Sequence, residues 1–187
     1  MRGNTLCDPR FFASITKNIT DKSSAGRFDL LFPAGTCNTA ADEYTAFRER
    51  LGRTAVDGFI SETFLSNTLV TELRIKRRLL LADLSKPGPG YIPGDITGPL
   101  PDEDGYHVTQ LWAEALKKLG FDGIIARARH NDGYALYLFG PAEVQEDFFD
   151  VVGTHLGMDL YWEMSTKGES LPKLRTSDED YADSLIG

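Results

Sequence analysis

The strongest periodic signal in the chain lies in "HVTQLWAEALKKLG", residues 107–120, where Val108, Leu111, Trp112, Ala115, Leu116 and Leu119 recur at helical spacing. Steps of three and four lay one apolar stripe along a helix, and Gly120 is a natural stop. The pattern then changes period. "GIIARAR" at 123–129 and "YALYLFG" at 134–140 read as two strands, and "HNDG" between them offers Asn131, Asp132 and Gly133 for a tight hairpin turn. Alternation along the first of these strands puts Arg127 and Arg129 on one face. Upstream, residues 35–41 read as a short strand after the turn at Pro33 to Gly35. Asp42 is placed to cap a helix that runs to Leu51 and stops at Gly52. A second helix is expected over 61–73. The apolar run in "RLLLADLS", 78–85, predicts a buried strand. Proline and glycine crowd "KPGPGYIPGDITGPLPDEDG", 86–105, and predict a long loop of the kind that often rims a functional site. Past Pro172 the chain turns acidic, and Ser177 is placed to cap a short helix there. Strands and helices mix without a regular βαβ rhythm, so the expected class is α+β, in a single domain over residues 1–187.

At 187 residues, 41% hydrophobic and 26% charged, the chain is large enough to bury a core of its own. A net charge of −8 argues against direct nucleic acid binding, which draws on a basic surface. The short basic run "RIKRRLL", 74–80, reads as a solvated end of a helix or strand. No G-x-G-x-x-G follows a strand and no P-loop is present, so neither conventional nucleotide motif is supported. Cys7 and Cys37 are the only cysteines, and His107, His130 and His155 are far apart, so no metal is expected. So few cysteines fit a reducing compartment, although a Cys7–Cys37 disulfide stays open. With no apolar leader and no run of about 20 apolar residues, the expectation is a soluble, cytoplasmic protein that does not engage a membrane.

Two charged residues stand out in "AGRFDLLFPAGTCNTAADEYTAFRERLG", 25–52. Arg27 follows the flexible Gly26, and Glu49 lies on the expected helix. Groups so placed can converge on one ligand. Each also has a plainer explanation: Arg27 as a solvated turn residue, Glu49 as a surface acid paired with Arg53 four positions on. Glu43, in the first helical turn, is accounted for by the helix dipole.

"GRF" at 26–28, "GTCNTA" at 35–40, "AFRERLG" at 46–52, "LLLADLS", "TQLWAEALKKLGFDGI" at 109–124 and "RARHNDGYALYLFG" at 127–140 follow one another in an order that resembles the RES domain family, named for an arginine, a glutamate and a serine. The resemblance covers roughly residues 25–142 and leaves 143–187 as an extension expected to pack on the core. It implies a fold similar to ADP-ribosyltransferases, a mixed or antiparallel β core flanked by helices. It implies the toxin of a bacterial type II toxin–antitoxin pair, with an Xre-type antitoxin as partner. It also implies NAD as substrate: the nicotinamide–ribose bond breaks and ADP-ribose passes to phosphate, water or a protein. By position, the family's arginine is Arg27 and its glutamate is Glu49, while Asn38 stands where the family has tyrosine and Ala128 where it has serine. Those two departures leave open a module that holds a nucleotide or partner without turnover. A homo-oligomer also stays open.

The chemistry suits the residues. Breaking the bond puts positive charge on the ribose, and a carboxylate such as Glu49 stabilises it as it develops. The planar fork of Arg27 suits a pyrophosphate, and Arg127 is a further candidate for phosphate contact. Asn38 retains hydrogen bonding without an aromatic ring, whereas Ala128 offers the ligand no polar atom. Arg27 and Glu49 are therefore expected on opposite sides of one cleft, with Asn38 between them.

Overall fold

A four-stranded mixed sheet runs in the order β4 (Ala34–Ala40), β9 (Tyr134–Pro141), β8 (Gly123–Arg127), β7 (Leu81–Asp83). The structure is a computed structural model and describes residues 8–15, 25–86 and 106–176. β9 is antiparallel to both neighbours, while β7 runs parallel to β8. Asn38 stands opposite Tyr137 and Ala40 opposite Ala135; on the other side of β9, Ile124 also stands opposite Tyr137.

A period of two sorts these strands onto two faces. One face presents Ile124, Ala126, Ala135, Tyr137 and Phe139, packed with Phe28, Leu30 and with Ala113 and Leu116 of α3 (His107–Lys118). The other presents Cys37 and Leu138, packed with Phe12, Phe148 and Phe149. Beside the latter lies a twisted ribbon of β6 (Leu69–Ile75) and β11 (Phe149–Leu156), with a bulge between Val151 and Gly153. A third cluster joins α1 (Glu43–Thr54), α2 (Glu62–Ser66) and α4 (Gly157–Thr166) through Phe47, Leu51, Leu65, Leu160 and Met164. Short pairings tie in the ends of the chain. β1 (Phe11–Phe12) meets β10 (Glu143–Val144), β2 (Ser14–Ile15) meets β3 (Leu30–Leu31), and β12 (Lys173–Arg175) runs parallel to β5 (Phe59–Ser61).

Several expected elements are redrawn. Of the apolar stripe of α3, only Leu116 faces the core. Leu111 is 56% and Leu119 74% exposed, Val108 and Trp112 are exposed too, and the helix buries Thr109 and Ala113 beside Leu116. Polar tethers set this rotation. Thr109 Oγ1 donates to the Arg27 carbonyl, Gln110 Nε2 to the Gly26 carbonyl at 3.1 Å, and Glu114 Oε1 accepts from Leu31 N–H at 2.9 Å. The expected helix over 61–73 is β5, the five-residue α2 and β6. Ser61 does cap a helix, but Asn67 Nδ2 closes it onto the Thr63 carbonyl, and the β-branched Val70, Thr71 and Ile75 then pair with β11. The strand expected over 78–85 shrinks to Leu81–Asp83, and α1 passes Gly52 to end at Thr54. β8 ends at Arg127, so Arg129 lies in the turn and shares no strand face with Arg127. Cys7, residues 87–105 of the expected loop and the expected helix after Ser177 lie outside the described residues.

Candidate active site

The start of α1 is fixed by its cap. Asp42 accepts from Thr45 N–H at 2.8 Å and from Thr45 Oγ1 at 2.7 Å, and Glu43 follows in the first turn. From that start, Ala46, Glu49, Arg50 and Arg53 fall on one stripe of the helix. They line a cleft whose other wall is Asn38, Thr39, Ala40, Ala135 and Tyr137 of β4 and β9. The methyl groups of Ala40, Ala46 and Ala135 leave the space between helix and sheet open.

Glu49 is not paired with Arg53. Its Oε1 accepts the backbone N–H of His130 at 2.6 Å, which fixes the carboxylate beside the cleft. The His130 ring lies against Gly52, where a Cβ would fall onto the imidazole, within 2.7 Å of Cδ2. That contact explains a glycine inside the helix. Alanine normally favours a helix interior by about 1 kcal/mol over glycine. Here Gly52→Ala should instead lower stability, by about 1–3 kcal/mol from overpacking. Urea midpoints measure this, and an unchanged or raised midpoint would show that the turn yields freely.

Burial lowers the His130 pKa below its usual 6.5, with Arg129 and Arg53 adding to the effect and Glu49 opposing it. The unfolded chain therefore binds a proton at a pH where the folded chain does not. Stability from this group is complete above 6.5 and is lost as the pH falls toward the lower folded value. His130→Gln should flatten that part of the stability–pH curve. Equal slopes in both proteins would assign the acid sensitivity elsewhere.

Arg27 is only 7% exposed. Its turn is held by Gly26 N–H donating to Asp29 Oδ2 at 2.6 Å. Nη2 donates to the Arg127 carbonyl at 3.3 Å, and the guanidinium lies 4.9 Å from the Phe28 ring centre and 5.3 Å from that of Tyr137. Among the described residues no carboxylate pairs with it. Asn38 donates from Nδ2 to Asp29 Oδ1 at 3.4 Å. Three buried side-chain polar atoms lack a hydrogen-bond partner among the described residues: Arg27 Nε, Asn38 Oδ1 and His130 Nε2. Asn38 lines this cleft, Arg27 packs on its Tyr137 ring and His130 donates its backbone N–H to Glu49 of the lining, and such atoms are rare enough in folded proteins to need a cause.

The fold thus brings Arg27, Asn38 and Glu49 around Tyr137, whose hydroxyl feels the charges of both Arg27 and Glu49. Of the sequence candidates, Asn38 and Glu49 line the cleft, Arg27 reaches it only through its contact with the Tyr137 ring, and the side chains of Arg127 and Ala128 are not part of the lining. Arg127 turns outward, donating to the Asp132 carbonyl at 3.0 Å and lying over the Tyr134 ring, so that only its carbonyl serves Arg27. Ala128 is buried, and its N–H donates to the Gly133 carbonyl at 2.9 Å. Sequence reasoning missed Tyr137, His130, Arg50 and Arg53. The stripe of α1 was available as a signal for the two arginines; the other two needed the strand register and the turn. Arg50 and Arg53 make the cleft locally cationic in a chain of net charge −8, and burial followed by the nearby Arg53 charge lowers the Arg50 pKa. No group of three or more His, Cys, Asp or Glu among the described residues could hold a metal. No helix among them is long and apolar enough to cross a membrane.

A mixed α+β sheet with a helix-walled cleft on one face is the class this arrangement defines. The chain belongs to the RES domain family, whose model matches residues 7–156, extending past both ends of the 25–142 resemblance. Among solved structures, the fold is similar to that in "Crystal structure of the M.tuberculosis MbcT-MbcA toxin-antitoxin complex", with a TM-score of 0.57 and 18% identity over 78% of this chain and 79% of that one. A comparison with curated protein sequences gave no significant match.

Proposed function

We propose that this chain is a toxin of a toxin–antitoxin pair and that it cleaves the nicotinamide–ribose bond of NAD in the cleft between α1 and the sheet. The observation that carries this reading is the set of buried polar atoms, above all on Arg27, that have no partner among the described residues and lie near a fixed carboxylate. A buried cation is costly unless an anion, here supplied by a ligand, compensates it. Family membership and a structural neighbour solved as a toxin–antitoxin complex support the toxin role.

In this reading Arg27 binds the pyrophosphate and Glu49 faces the ribose. The bond between the nicotinamide nitrogen and the ribose C1′ breaks with its electron pair going to nitrogen, and neutral nicotinamide leaves. The cationic ribose is stabilised by the Glu49 carboxylate. Water or phosphate then attacks C1′ (water loses a proton in doing so), which makes the protein a NAD glycohydrolase or phosphorylase. Transfer to a protein side chain is the alternative acceptor chemistry. Because the activity would drain its own cell of NAD, the protein acts in the cytoplasm and is held off by an antitoxin of the Xre type.

A second reading is a nucleotide-holding module without turnover. It is favoured by the Asn38 amide being tied to Asp29 and by the absence of any polar side-chain atom at Ala128. Incubating purified protein with NAD and measuring free nicotinamide separates the two. Release at a rate that scales with protein concentration supports the enzyme. Binding of ADP-ribose without release supports the module. A protein that neither binds nor releases sinks the NAD reading.

A further inference from the structure

Among the described residues, Tyr137 is the one aromatic side chain in the cleft lining. It sits at the centre of the sheet face, opposite Asn38 on one side and Ile124 on the other. Its ring is 9% exposed and is held from two directions. Phe28 meets it edge-on at 4.6 Å between ring centres, and the Arg27 guanidinium lies 5.3 Å from its centre. The guanidinium packed against the ring leaves the hydroxyl as the part able to meet a ligand. No described residue hydrogen-bonds to that hydroxyl, nor is it among the sealed, unpartnered polar atoms, so it opens toward the cleft. Burial pushes its pKa up, and Glu49 adds to this while Arg27 and Arg53 oppose it, so the group keeps its proton and acts as a donor.

We infer that Tyr137 is a ligand-contacting residue with two separable jobs. Its hydroxyl donates a hydrogen bond to an oxygen of the dinucleotide, either a phosphate or a ribose oxygen lying between Arg27 and Glu49. Its ring cradles the Arg27 guanidinium through the cation–π contact and so sets the position of the phosphate-binding fork. The plainer role, a core tyrosine that packs on Phe28, accounts for the ring but not for a hydroxyl that opens into the cleft with no hydrogen-bond partner among the described residues. The inference rests on the NAD reading of the cleft, because the ligand oxygen it needs belongs to that dinucleotide.

Two substitutions separate the jobs. Tyr137→Phe removes the hydroxyl and keeps the ring, so it should weaken ADP-ribose binding roughly tenfold, the order expected for one hydrogen bond. The melting temperature should hold. Tyr137→Leu removes the ring as well, and should weaken binding further and lower the melting temperature. Calorimetric titration of wild type and both variants with ADP-ribose, beside thermal melts and nicotinamide release from NAD, reads all of this. A Tyr137→Phe variant that binds as tightly as wild type, with unchanged turnover, overturns the hydroxyl contact and leaves Tyr137 a packing residue. A melting loss in Tyr137→Phe as large as in Tyr137→Leu overturns it too, since the hydroxyl would then serve the fold. Wild type that neither binds ADP-ribose nor releases nicotinamide sinks the NAD reading, and this inference with it.

Discussion

Glu49→Gln should reduce nicotinamide release by two to three orders of magnitude while the protein melts at nearly its wild-type temperature. The two halves of this result have separate causes. Gln keeps an amide oxygen where Glu49 Oε1 accepts the His130 N–H, so the hydrogen bond that fixes the side chain survives. What is lost is the negative charge that, in the proposed reaction, faces the ribose. Losing one preorganised electrostatic contact to a charged transition state commonly lowers turnover about 10²–10³-fold. Because the effect is on charge that develops during the reaction, it should fall on kcat more than on ADP-ribose affinity. Turnover within threefold of wild type would falsify a catalytic role for Glu49. A large drop in melting temperature would instead make Glu49 a structural anchor of the His130 turn.

Arg27→Leu should show the opposite pattern: affinity collapses and stability holds or rises. Among the described residues the guanidinium is buried without a carboxylate, supported by one carbonyl and two aromatic rings. Leucine fills part of the same space without a charge to desolvate, which relieves the folded state. The ligand loses a fork that can make two charge-assisted bonds, each worth about 1.5–3 kcal/mol. ADP-ribose affinity should therefore fall on the order of a hundredfold or more. Titration calorimetry and thermal melts on the same samples test it. Should the variant bind normally, or unfold at a much lower temperature, Arg27 is a structural residue and the phosphate lies elsewhere, with Arg50 and Arg53 the next cations in the cleft.

How much of this was legible beforehand depended on the range of the forces involved. The cap at Asp42, the strand pair around residues 123–140 and the mixed α+β class follow from local turn chemistry and short-range period, and the structure contains them. The residues of the ordered resemblance were enough to point to the RES domain family, which the family model matches. The errors lie where a distant segment overrode a local signal. Residues 69–75 carry a helical start upstream but pair with a strand about 80 positions away. The stripe on α3 is a genuine apolar period, yet three polar tethers to residues 26–31 turn the helix so that Thr109 and Ala113 face inward.

The same division holds at the site. The sequence alone determined which charges were available: an arginine after a flexible glycine, and a glutamate on a capped helix in an otherwise acidic chain. It could not determine what those charges face. The tertiary structure decided that Glu49 is held by a backbone amide 81 residues away, that Gly52 exists to admit the His130 ring, and that Tyr137 arrives opposite Asn38 through strand register. The physical reason is one of separation. Capping and periodicity act within a turn or two of chain, so they can be read residue by residue. Burial, pairing and the lack of a partner are properties of atoms brought together from distant segments, and they exist only once the chain has folded.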